Sequence, residues 1–96
     1  MPNDVIERDP YEQERSGQYL QGFCDEMRTI CGAIKAHVED AESCIGDSNA
    51  KGALEDVKTM AQDILNLLPG IEEFGQKQIV LSKPVQEAQE IKFTRH

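Results

Sequence analysis

The sequence predicts an all-α fold: an antiparallel two-helix hairpin with a kinked second helix and a short C-terminal extension. Three observations carry that expectation. Apolar residues recur every seven positions over two long stretches, Asp9-Pro10 is a helix-start signal, and Gly46-Asp47-Ser48-Asn49 is a reversal signal. Sevenfold recurrence combined with offsets of three or four gathers side chains on one stripe of a helix. With 96 residues and 10.8 kDa the chain is one small domain. A chain of that size buries only about two-thirds of its unfolded surface, so it depends on very regular packing or on a partner.

Residues 1–9 read as a flexible N-terminus, and the first helix is expected over residues 10–45. Asp9 offers an N-cap carboxylate, Pro10 suits the first helical position, and Glu12 stands where a capping box has its acid. Leu20, Met27, Ile34 and Ala41 form one sevenfold row; Cys24, Cys31, Val38 and Ile45 form a second. Phe23, Ile30, His37 and Cys44 flank them and widen the stripe beyond a two-stranded seam toward a bundle face. Gly17, Gly22 and Gly32 each cost about 1 kcal/mol relative to alanine, so packing must supply what propensity does not.

Gly46 is suited to ending the first helix, and Asp47, Ser48 and Asn49 to capping the second, expected over residues 49–77. There Leu54, Ala61 and Leu68 form one row, Val57, Ile64 and Ile71 a second, and Met60, Leu67 and Phe74 the flank. Leu68-Pro69-Gly70 should kink or briefly break the helix, because proline lacks the N–H and clashes with the preceding turn. Residues 79–82, Ile-Val-Leu-Ser, are β-prone and precede Lys83-Pro84, which predicts an extended connector. Val85, Ala88 and Ile91 then outline two marginal helical turns within the segment 79–96.

Chemistry is sparse. Eighteen acids against ten bases give a net charge of -8, -6 from residues 1–45 and -2 from residues 46–96, which disfavours nucleic acid as a partner. No run approaches the roughly 18 apolar residues of a membrane span, so no membrane insertion is expected. The start MPNDVIERDP lacks the basic and apolar regions of a cleaved signal peptide. Cytoplasmic synthesis follows, with any export proceeding without such a signal. Cys24, Cys31, Cys44 and His37 are thiolate and imidazole groups, but residues seven apart on one helix stand about 10.5 Å apart along its axis. That is too far to share one metal or one intrahelical disulfide. Cys24 and Cys31 therefore read as small core residues, His37 as a boundary side chain, and no cofactor or metal is expected. Neighbouring acids such as Asp25-Glu26 and Glu72-Glu73 point about 100° apart and form no acid–base pair, so the chain is not expected to be an enzyme.

The residues expected to meet a partner are Leu20, Phe23, Met27, Ile30, Ile34, Val38, Leu54, Val57, Met60, Ile64, Leu67, Leu68, Ile71 and Phe74, because a two-helix unit can hardly cover all these rows by itself. About 100 residues, two amphipathic helices over residues 10–78 and a glycine-containing tip at Gly46 or Gly52 resemble the WXG100 (ESAT-6-like) family. Those small helical hairpins are exported by type VII secretion systems as dimers or as partners of larger substrates. The chain departs from the family pattern in having no tryptophan at the tip and in placing Gln78, not an acid, four residues after Phe74. The resemblance implies a targeting or accessory subunit, as a homodimer or as a heteromer with a larger helical protein. Two other classes fit the composition: a cytoplasmic secretion chaperone masking a client segment, and an acidic inhibitor that mimics nucleic acid.

Overall fold

The computed structural model describes residues 9–94, and the side chains of residues 9–91. Residues 1–8, which make up most of the expected N-terminal extension, and residues 95–96 lie outside the described residues. Two helices form an antiparallel hairpin, α1 over Pro10–Cys44 and α2 over Ser48–Thr94, and no strand occurs among the described residues.

Both helix starts follow their sequence signals. The Tyr11 N–H donates to the Asp9 carboxylate at 2.9 Å, and the Asn49 N–H donates to the Asp47 carboxylate at the same distance. Each aspartate thus satisfies one of the backbone donors that a helix leaves open at its N-terminus. At the other end of α1 the Ser43 hydroxyl donates to the Asp40 carbonyl at 2.7 Å. No described residue has a positive φ, so Gly46 terminates α1 without the left-handed geometry that usually selects glycine there.

The second helix is longer than the sequence predicts. Its helical backbone is continuous through Leu68-Pro69-Gly70, so proline does not end it, and it continues through residues 79–82, where an extended connector is predicted. The physical reason is packing. Ser82, the last residue of the β-prone run, and Gln86, one turn beyond it, are buried, while Val80 and Pro84 are exposed. The carbonyl deprived of a donor by Pro84 belongs to Val80, on the solvent side, where water can serve it. Burial on one side of the helix outweighs the local preference of Ile-Val-Leu.

The chain divides into two compact units, Phe23–Gly70, and Met1–Gly22 with Ile71–His96. With Cys24 and Ala61 set as heptad position a, the buried residues of Phe23–Gly70 are Cys24, Cys31 and Val38 from α1 and Ala61 and Leu68 from α2, all at a. The Cys24 thiol donates to the Leu68 carbonyl at 3.6 Å across the seam. In the other unit the same position carries Pro10, Gly17, Gly75 and Ser82, all buried. A Cβ added to Gly17 would overlap the Gly75 carbonyl oxygen and stand 2.8 Å from Ile79 Cγ1; one added to Gly75 would stand 2.8 Å from the Gly17 carbonyl oxygen. Each glycine therefore meets the other helix's backbone, a contact only hydrogen at Cα permits.

Gly17→Ala is expected to destabilise by about 1–3 kcal/mol through overpacking, even though alanine is the better helix former. Gly32→Ala, with nothing within 4 Å of the added methyl, is expected to stabilise by about 0.5–1 kcal/mol. Urea unfolding midpoints check both signs.

Candidate functional site

The two sides of the seam differ in chemistry. Within Phe23–Gly70, the Lys35 ammonium donates to the Gln62 side-chain carbonyl at 2.7 Å, and Lys58 reaches Glu42 at 3.5 Å and Glu55 at 3.5 Å. Lys35, Glu42 and Lys58 occupy heptad position e, and Gln62 and Glu55 position b. Cross-helix contacts made from e and b fix the side of the buried a row on which those positions lie. Positions d and g, which lie on the other side of a at 100° per residue, must then share the opposite face of this unit. That face carries Met27 and Ile34 (d) with Phe23 and Ile30 (g) from α1, and Val57 and Ile64 (d) with Met60 and Leu67 (g) from α2. Met27, Ile34 and Ile64 are half-buried, whereas Phe23, Ile30, Val57, Met60 and Leu67 are exposed by 42% (Val57) to 66% (Leu67). Five large apolar side chains so exposed on one face are the kind of surface that marks interaction sites.

The partner residues predicted from sequence separate into three groups. Val38 and Leu68 are buried in the chain's own seam, so they hold the hairpin together. Leu20, Met27, Ile34, Leu54, Ile64 and Ile71 are half-buried beside it. Phe23, Ile30, Val57, Met60, Leu67 and Phe74 are exposed. Leu20, Ile71 and Phe74 belong to the unit containing the helix start, and the remaining residues of all three groups belong to Phe23–Gly70.

Sequence reasoning passed over the charges bordering the exposed patch. Glu26 and Asp40 in α1 and Asp56 and Asp63 in α2 all stand at position c, next outward from g, and all are exposed. The four lysines and arginines of this unit, Arg28, Lys35, Lys51 and Lys58, all stand at position e, on the other face, while His37 stands at g. Extending the sevenfold count from apolar to charged residues would have found both sets.

The unit with the helix start is joined by polar groups. The Gln86 amide lies within donating distance of the Glu14 carboxylate (2.9 Å), the Ser82 hydroxyl (3.2 Å) and the Pro10 carbonyl (3.3 Å), and Lys83 forms an ion pair with Glu14. Gln13 donates to Gln78 at 2.9 Å and Gln21 to Gln76 at 2.8 Å. The hydrogen bond from Lys83, then that from Gln86, lowers the Glu14 pKa below its ordinary 4.5 despite partial desolvation. Desolvation pulls Lys58 down, but the carboxylates of Glu42 and Glu55 outweigh it and raise its pKa above 10.5. Among the described residues no group of three or more His, Cys, Asp or Glu could hold a metal ion, and no helix is long and apolar enough to cross a membrane.

No family model, curated protein or solved structure matches the chain. The apolar patch and its charged border are therefore interpreted from their own chemistry.

Because the Glu14 pKa is depressed on folding, its contribution is complete above pH 4.5 and is lost as pH falls through the lower folded value. Lys83→Met removes the principal cause. The variant is expected to unfold more readily than the parent near neutral pH, and the gap is expected to narrow below pH 4.5, as urea midpoints taken across acid pH would show.

Proposed function

We propose that this chain acts by helix packing: it is a small acidic hairpin whose d and g face in residues 23–70 is completed by a helix of another polypeptide. The observation that supports this reading is the exposure of Phe23, Ile30, Val57, Met60 and Leu67 on one face, opposite a face occupied by cross-helix polar contacts. Folding does not need these side chains to be apolar, since the hairpin is already closed by its a row. A helix laid against them would bury apolar surface at roughly 25 cal/mol per Å². The resemblance to WXG100 proteins supplies a setting for the proposal, in which the hairpin accompanies a larger helical protein through type VII secretion. No catalytic role is part of the proposal.

The test separates folding from association. Met60→Glu combined with Leu67→Glu changes two exposed residues and is expected to leave helix content and melting temperature nearly unchanged, because exposed substitutions usually stay within about 0.5 kcal/mol each. The same pair is expected to abolish the complex that the parent chain forms in the cells that make it, read by affinity capture of parent and variant side by side. An unchanged set of captured proteins would overturn the proposal.

A further inference from the structure

We infer that the occupant of the d and g face is an amphipathic helix whose apolar stripe is flanked by lysine or arginine, rather than a second copy of this chain. The inference rests on the helix-packing function proposed above and adds the charge of the partner.

The argument is one of placement. A helix docked on Phe23, Ile30, Met60 and Leu67 would send its own flanking side chains past the g rows to position c of each hairpin helix. There it meets Glu26 and Asp40 on the α1 side and Asp56 and Asp63 on the α2 side, all exposed. No lysine or arginine of this unit shares that face, on which His37 continues the row of Phe23 and Ile30. Arg28 pairs with Asp25 at 3.4 Å, Lys35 is hydrogen-bonded to Gln62, and Lys58 lies between Glu42 and Glu55, all from positions on the other face. The unit thus sorts its lysines and arginines to one face and sets four carboxylates, with His37, beside the apolar patch. A basic-flanked stripe meets four opposite charges at the rim, where complementarity raises the association rate and rejects wrong partners. A second copy placed face to face by a twofold axis would set the same four carboxylates of one protomer around those of the other. Like charges around one apolar seam oppose that pairing.

The test uses the full chain with three synthetic amphipathic peptides of about 18 residues, five helical turns. They share one leucine stripe and differ only in flanking residues: lysine, glutamine or glutamate. Fluorescence anisotropy at low salt is expected to show the lysine-flanked peptide binding at least tenfold more tightly than the glutamine-flanked one, and the glutamate-flanked one binding least. The difference is expected to collapse near 1 M salt, where screening is nearly complete within about 3 Å. In the variant Asp56→Lys with Asp63→Lys, both surface changes, the order of the lysine and glutamate peptides is expected to reverse.

Equal binding of all three peptides, lost on Met60→Glu with Leu67→Glu, would overturn the charge inference and leave the helix-packing function standing. Binding of none would overturn both. Light scattering on the parent chain at micromolar concentration supplies the remaining arm. A mass near 10.8 kDa supports the inference, whereas a mass near twice that value, restored to 10.8 kDa by Met60→Glu with Leu67→Glu, would make a second copy the occupant and overturn it.

Discussion

Small residues at a single heptad position govern how these two helices meet. In residues 23–70 the residues buried at this position are two cysteines, a valine, an alanine and one leucine, with Leu54 half-buried in the same row; in the other unit the buried ones are a proline, two glycines and a serine. Where Gly17 and Gly75 meet, each lies against the backbone of the opposite helix. Helices brought together by residues this small leave little room for the next rows to interdigitate, so in residues 23–70 most of positions d and e stay half-buried and position g stays outside. A seam built of leucine would hold the axes further apart and draw the d rows inward. The exposed patch follows from the narrow seam: among the described residues, the apolar side chains at g point away from it and stay exposed.

Polar contacts and apolar contacts divide the work along this hairpin. Near the helix start the stabilising groups are Gln86, Ser82, Glu14 and Lys83, which join α1 to α2 through hydrogen bonds, with Ser82 and Gln86 withdrawn from water. Every buried side-chain nitrogen and oxygen among the described residues has a partner, so these groups do not carry the desolvation cost of an orphaned one. They also specify pairing, because glutamine and serine recognise particular partners where an aliphatic seam accepts several registers. In residues 23–70 the e rows perform the equivalent task through Lys35–Gln62 and Lys58–Glu42. With register set on that side, the side carrying Phe23, Ile30, Met60 and Leu67 stays exposed.

Much of this was legible in the sequence, and what was not has identifiable causes. Asp9 and Asp47 announce both helix starts because capping depends on a side chain within two residues of the bond it makes. The sevenfold rows place Cys24, Cys31, Val38, Ala61 and Leu68 on the buried side. Continuing the last of these rows through Gly75 and Ser82 would have carried α2 past residues 79–82. The β-prone run and Lys83-Pro84 argued locally for a connector, and local preference loses where tertiary burial is available. Gly17 was misleading for a similar reason: glycine in a helix reads as a cost until a second backbone is known to lie against it. Of the proposed partner residues, Val38 and Leu68 could not be told from Met60 and Leu67 by hydrophobicity. The distinction depends on the centre of the seam, which small residues shift onto one row.

A chain that closes its own seam with few large apolar side chains gains relatively little from folding alone, and that bears on how it would work. Any helix that binds the folded hairpin and not the unfolded chain adds its binding free energy to the stability of the hairpin, by mass action. Partner and fold are then linked: occupancy would firm the structure, and loss of the partner would return it to a state held by the a row and the polar contacts. The acidic rim adds discrimination to that linkage. Apolar patches attract many surfaces, but one bordered by Glu26, Asp40, Asp56 and Asp63 penalises acidic helices, including copies of itself, before close contact is made. The net charge of -8 opposes self-association of an exposed patch and, on the proposed reading, would also select what covers it. Resistance to self-association and selectivity toward a basic helix would then be two consequences of a single arrangement of carboxylates.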